Sequence, residues 1–369
     1  MPKALKIVLR IILIIVIALV VVVGGYIAYL MLTYNRIADG EPVPVENNLP
    51  ATEVLAKGRQ YTAVTYNIGF GAYTPDYTFF MDEGIMADGT ETVGEHSVAV
   101  SKESVIACTE GAIGQVKVIN PDFILLQEVD TDSTRSYQVN QKEAFEQAFP
   151  NDASAFAVNF HSAFLAYPFG EMHGIVNAGL LDLSDVYVES AERRSYPVDE
   201  SFPTKFFDLD RCFMVEHIPV DNGHELVLIN SHMSAYDEGG LIRAQQLELL
   251  CSVLEKETGE GDYVIVGGDW NHALAGSVDI YPSEQLVPPW VSVFDESVLP
   301  EGFSVVAAEN LADVPTCRGD DIPYEKGVTY TTTIDGFIVS DNVKATALNI
   351  DTGFEFSDHN PVLLTFELL

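Results

Sequence analysis

The chain has 369 residues, enough for one large domain or two modest ones, and 47% of them are hydrophobic, which excludes a disordered protein. Its formal charge of −36 sets 55 Asp and Glu against 19 Lys and Arg. That excess repels polyanions and anionic lipid headgroups at long range and argues against tight nonspecific nucleic-acid binding, although a solvated acidic surface that serves only solubility reads the same way.

Residues 11–33, "IILIIVIALVVVVGGYIAYLMLT", are 23 uncharged residues. At about 1.5 Å rise per residue such a run crosses a bilayer core of roughly 30 Å. No A-x-A-like cleavage site follows, so the sequence predicts an uncleaved transmembrane anchor over 11–33 rather than a signal peptide. Lys3, Lys6 and Arg10 precede the run, whereas Arg36 is soon followed by Asp39 and Glu41. This asymmetry predicts a single-pass protein of the cell membrane, with residues 1–10 as a short cytoplasmic N-terminus and the rest outside the cytoplasm. From residue 37 onward 15 Lys and Arg (19 less Lys3, Lys6, Arg10 and Arg36) face all 55 Asp and Glu, a formal −40. Pro42, Pro44 and Pro50 suit an extended linker over 34–58, leaving 59–369 as one folded domain.

Within that domain strand-like runs recur at 61–68, 122–127, 154–160, 175–182, 212–219, 225–231, 262–267, 334–339 and 361–367. "VDNGHE" between the fifth and sixth reads as a hairpin turn. Helical periodicity covers 102–119, where Val105, Ile106, Ile113, Val116 and Ile119 share a face, and 238–257. Residues 71–101 are Gly-rich, acidic and aromatic, too long for an ordinary connection, and read either as a lid over a site or as a surface excursion. Cys108, Cys212, Cys251 and Cys317 are widely spaced with no C-x-x-C, fit no zinc pattern and leave disulfide pairing open. The absence of an N-x-S/T sequon favours a cell that does not N-glycosylate its surface proteins.

Polar residues gather where strands end. The first strand ends at Asn67, the second runs into Glu128 in "LLQEVD", the hairpin return reaches His232, and the next strand reaches Asp269 and Asn271 in "GGDWNH". The strand at 334–339 carries Asp335, and the last is preceded by Asp358 and His359. Any one of these is an ordinary capping or salt-bridging residue; together they supply the oxygen and nitrogen groups that a hydrated Mg²⁺ and a general base require.

"TYNIG", "LLQEV", "NSHMS", "GGDWNH", "TIDGFIVS" and "FSDHNPV", in this order over roughly residues 61–369, resemble the ordered motifs of the endonuclease/exonuclease/phosphatase superfamily. The resemblance implies an α/β class fold, a four-layer sandwich of two packed, mostly antiparallel β-sheets flanked by helices, with the site at one edge of the sheets. It further implies a metal-dependent hydrolase of phosphate esters. Glu128 corresponds to the principal metal ligand, with Asn67 beside it and Asp358 near the metal or its waters; the metal is Mg²⁺, with Mn²⁺ or Ca²⁺ as alternatives. His359 corresponds to the general base and Asp335 to its orienting carboxylate, while Asn271 and His232 would hold phosphate oxygens and Asp269 would position the nucleophile or help the leaving group. Trp270 stands where Phe is frequent and Gly336 where a Tyr often follows the Asp, departures that remove no functional group. His161, His173 and His272 read as structural, Arg211 as a candidate phosphate contact, and Arg193 and Arg194 as surface salt bridges.

The expectation is therefore an outward-facing, membrane-anchored, Mg²⁺-dependent phosphoesterase acting on a small phosphate ester, a lipid headgroup or a nucleic acid. It meets the lipid bilayer through residues 11–33, with no obligate protein partner evident. The alternatives are a nuclease for extracellular DNA and a non-catalytic binding module on the same fold.

Overall fold

A computed structural model of the chain describes residues 2–52, 54–206, 210–235, 241–259 and 261–369. Its helices are α1 (Lys3–Thr33), α2 (Lys102–Ile119), α3 (Gln141–Ala148) and α4 (Leu241–Gly259). The expected start of the last helix, 238–240, lies outside the described residues.

Two seven-stranded sheets form the domain. One runs in the order Glu41–Val43, Ser190–Ser195, Cys212–Pro219, Glu225–His232, Tyr263–Asp269, Asp335–Ser340, Phe303–Val306; the other in the order Val343–Asn349, Val362–Leu368, Gln60–Asn67, Phe123–Asp130, Asn177–Ser184, Ala153–His161, Val45–Glu46. Each sheet has one parallel pair, Gln60–Asn67 with Phe123–Asp130 and Glu225–His232 with Tyr263–Asp269. Parallel neighbours need a crossover, and α2 and α4 provide the two.

The continuous apolar runs follow from burial on both faces. Ala63, Leu125, Leu228, Ile265 and Phe337 fill the space between the sheets. The residues between them point the other way: Val64 and Tyr66 meet Ala112 and Val116 of α2 and Phe145 of α3, while Val227, Ile229, Val264 and Val266 meet Leu250 and Leu254 of α4. Helix, sheet, sheet, helix is the four-layer sandwich the sequence motifs implied. On α2 the buried stripe is Val105, Cys108, Thr109, Ala112 and Val116; Ile106 faces solvent, because 3.6 residues per turn place it to the side of Val105.

Residues 34–52 and 54–58 form an irregular stretch that is knitted to the domain. Glu41–Val43 pairs with Ser190–Ser195, and Val45–Glu46 pairs with Ala153–His161, so one short segment edges both sheets. The 71–101 segment carries a small hairpin, Glu83–Ile85 with Glu91–Val93. It is fastened by the backbone amide of Phe79 on the Asp320 carbonyl (2.8 Å) and by the Arg318 guanidinium on the Thr74 carbonyl (3.1 Å). The four cysteines are unpaired.

Candidate active site

The strand register assembles half of the site. His232 lies beside Asp269 in the parallel pair, and Asp269 beside Asp335 in the next, antiparallel pair. The chain must approach closely to do this: a Cβ on Gly268 would collide with the Ser231 carbonyl, so the residue before Asp269 has to be glycine. The other sheet supplies Asn67 at its strand end and Glu128 from a β-bulge, where the register of Phe123–Asp130 shifts between Leu126 and Val129. Glu128 has φ +55°, and this left-handed step turns its carboxylate out of the ladder into the cavity. Asp358 and His359 arrive just ahead of the last strand, where His359 pairs with Cys317.

Glu128, His232, Asp269, Asn271, Asp358 and His359 line one cavity of about 340 Å³. Asn67 and Asp335, each 1% exposed, stand behind this lining. The His359 ring binds the Asp335 carboxylate through Nδ1 at 2.8 Å, and its Nε2 lies 3.7 Å from Asp358 and 3.8 Å from Asp269. One oxygen or nitrogen each from Asp269, Asp335 and His359 fall within 4.8 Å of one another, a group able to hold a cation. Asp269 is fixed on both oxygens, accepting from the Asn67 amide at 3.0 Å and from the Asn271 backbone at 2.9 Å. Asn67 also accepts from the Gly69 backbone at 3.0 Å. The Asn271 amide donates to the Met233 carbonyl at 2.9 Å.

Charge is unevenly held. Burial works against the His359 cation, yet Asp335, and with it Cys317, Asp358 and Asp269, carries the imidazole well above its ordinary value. Burial pushes Asp269 up to about 6, with His359 opposing and Asp335 assisting. Glu128 is raised by desolvation; Arg135, 3.8 Å away, opposes the shift and Asp358 adds to it. Glu128 and Asp358, two carboxylates at one cavity wall, are a set of hard oxygen donors suited to a divalent cation. His232 is different. Burial, with Arg211 beside it, lowers it well below the ordinary range, and its Nε2 accepts from the Arg211 guanidinium at 2.7 Å.

The sequence singles out Arg211 and, as one of two readings, a cover formed by 71–101; it missed Arg135, Arg318 and Cys317 as lining groups. Arg135, Arg211 and Arg318 come together from distant stretches; Arg135 holds Asp130 through two bonds of 2.9 and 3.1 Å and lies 3.9 Å over the Phe70 ring. Tyr73, Phe79 and Phe80 make the 71–101 segment one wall of the cavity. Cys317 faces His359, and burial raises its thiol. No local motif marks Arg135, Arg318 or Cys317. The two departures from the family pattern meet each other: the Trp270 indole donates to the Gly336 carbonyl at 3.1 Å. Arg193 is not a surface residue; it is 3% exposed and donates to the Val158 and Asp210 carbonyls at 2.8 and 2.7 Å, because its side chain turns in from an inner strand. His173, beside the Ser97 carbonyl at 2.6 Å, is lowered to about 3 by burial, a structural histidine.

Comparison with solved structures adds the wider frame. An endonuclease/exonuclease/phosphatase from Beutenbergia cavernae DSM 12333 superposes with a TM-score of 0.55 at 14% identity, covering 84% of this chain and 72% of that one. The chain has the endonuclease/exonuclease/phosphatase superfamily fold. ANGEL2, described as a 2′,3′-cyclic phosphatase, shares the fold at a TM-score of 0.52 and 13% identity over 90% of this chain and 99% of that one. TDP2 from C. elegans does so at 0.50 and 16% over 84% and 76%. No protein-family model and no curated protein matches the sequence. Within the fold the site occupies the C-terminal ends of both parallel strand pairs, so its two halves come from opposite sheets.

Proposed function

We propose that the protein is a membrane-anchored, divalent-cation-dependent phosphoesterase whose catalytic domain, residues 59–369, faces outward. The observation that carries this reading is the His359–Asp335 bond of 2.8 Å at a cavity that Glu128 and Asp358 also line. It accords with the description of one structural neighbour as a 2′,3′-cyclic phosphatase.

Glu128 and Asp358, with the remaining lone pair of the Asn67 amide oxygen, would hold Mg²⁺. We assign the cation there rather than to Asp269, Asp335 and His359 because His359 Nδ1 and Asp335 Oδ2 already bind each other. When bound, the cation supplies positive charge to the phosphate oxygens. Asp335 accepts the Nδ1 proton of His359, fixing the tautomer that leaves Nε2 to take a proton from water, and it favours the imidazolium that results. Asp269, held by Asn67 and Asn271 and raised to about 6, is placed to give a proton to the leaving group. Arg211 and Asn271 offer donors to the phosphate. His232 serves here by accepting from Arg211 and orienting it, rather than by meeting the phosphate itself.

The outward orientation rests on Lys3, Lys6 and Arg10 at the start of α1, a helix long and apolar enough to cross a membrane. Protease added to intact cells should remove the domain, and protection behind an unbroken membrane would reverse the topology. The activity test is hydrolysis of bis(p-nitrophenyl) phosphate by the full-length chain with Mg²⁺ and with EDTA. Turnover that needs Mg²⁺ and is lost in His359→Ala is expected; no turnover of any phosphate ester in a broad panel would contradict it.

A further inference from the structure

We infer that the substrate is a phosphoester of the same bilayer that α1 crosses, a lipid headgroup admitted over an aromatic rim. The inference rests on the phosphoesterase reading above and narrows its substrate.

The helix does not end free. At about 1.5 Å per residue its 31 residues measure about 46 Å, against roughly 30 Å of bilayer core. Counted from Ile11, about 20 residues reach the far side of that core near Leu30. Tyr26, Tyr29 and Tyr34 therefore fall at the outer interface, the depth that tyrosine favours. At that level the domain grips the helix. The Tyr26 hydroxyl donates to the Phe164 carbonyl (3.0 Å) and accepts from the Ala166 amide (2.8 Å), the Tyr29 hydroxyl accepts from the Phe164 amide (3.1 Å), and Leu30 packs with Leu165 and Phe206.

The gripped loops are also cavity wall: Phe160, Leu165, Pro203 and Thr204 line it. Beside them apolar side chains stand in solvent, with Phe169 86% and Phe202 57% exposed and Tyr167 and Met172 also open. The rings form a track. Phe169 meets Tyr167 at 6.3 Å, Tyr167 meets Phe80 at 5.7 Å, and Phe80 meets Phe79 at 5.0 Å, both of the last two facing the cavity. A phenylalanine this exposed, joined to the anchor on one side and the cavity on the other, is explained by a bilayer covering it. Residues 160–176 contain no Lys or Arg. With a formal −40 beyond residue 36, a net-neutral headgroup is favoured over an anionic one and over nucleic acid, which needs basic contacts.

The test uses the full-length chain in nanodiscs of phosphatidylcholine and sphingomyelin, with or without phosphatidylglycerol, alongside soluble bis(p-nitrophenyl) phosphate and a DNA oligonucleotide. Phe169 and Phe202 lie outside the cavity lining. We expect a nanodisc lipid to be cleaved, and Phe169→Ser/Phe202→Ser to cut that turnover about tenfold or more while the soluble ester changes less than about twofold. We also expect Phe169→Trp to be quenched by lipids brominated in the acyl chain. Soluble ester cleaved while every lipid stays intact, lipid turnover indifferent to the rim variant, preference for DNA, or an unquenched Phe169→Trp would each overturn the inference and leave the phosphoesterase reading standing. No Mg²⁺-dependent turnover of any substrate would remove that reading, and this one with it.

Discussion

Two groups of buried acids in this domain contrast in what they face. Asp182 and Glu216, each 2% exposed, come from strands of opposite sheets. Asp182 accepts from the Asn230 amide at 2.5 Å, but its second oxygen and one oxygen of Glu216 have no hydrogen-bond partner among the described residues. Burial pushes Glu216 up to about 8; burial and the neighbouring Glu216 drive Asp182 well above its ordinary value. Burial thus favours the protonated form of this pair, and neither acid lines the cavity. Asp269 and Asp335 are equally buried, yet they face a histidine at 3.8 and 2.8 Å, and a cavity opens in front of that histidine. Burial raises carboxyl groups in both places. What distinguishes the site is a basic partner within reach and a path for substrate.

The contrast can be broken most severely at the dyad. Asp335→Ala and His359→Ala should each lower kcat by about 10²–10⁴, and the double variant should be little worse than the worse single, since the two act as one unit. Additive losses would separate them. Glu128→Gln should follow, weakening Mg²⁺ affinity on the order of 10–100-fold and lowering turnover with it, as seen by titrating activity against the metal. Wild-type activity at limiting Mg²⁺ would remove Glu128 from the site.

The Asp182–Glu216 pair sharpens the comparison through stability. Glu216 holds its proton more tightly folded than unfolded, so its contribution is fully present below about 4.5 and is lost as pH rises through about 8. Glu216→Gln should remove this contribution, flattening thermal midpoints across that window with kcat unchanged. A fall in kcat would mean the pair is coupled to the site. The smallest effect is expected from Trp270→Phe, which drops the indole bond to Gly336 and should cost about 1 kcal/mol in denaturant titration with turnover retained.

Much of this was legible in the sequence because the sandwich buries its central strands on both faces, so they read as unbroken apolar runs whose polar ends stand out. Asn67, Glu128, His232, Asp269, Asn271, Asp335, Asp358 and His359 were found in that way, and the structure brings them to one edge. Three kinds of feature were hidden. Arg135 and Arg318 join Arg211 only through tertiary folding, and nothing local distinguishes these two from surface arginines. Residues 41–46 are short and proline-bearing, so only their pairing with Ser190–Ser195 and Ala153–His161 reveals them as strands. The grip of Tyr26 and Tyr29 on Phe164 joins residues more than a hundred positions apart, which no pattern within a window can show.

The most direct measurement is the pH profile of kcat/KM for the wild type and His359→Ala. Asp335 favours the His359 imidazolium against burial, so activity is expected to rise as that proton leaves. The acid limb should lie above the ordinary histidine value of about 6.5 at limiting Mg²⁺, move to lower pH as the cation neutralises the surrounding carboxylates, and vanish in His359→Ala. An acid limb that survives unchanged in His359→Ala would place the base elsewhere and contradict the account.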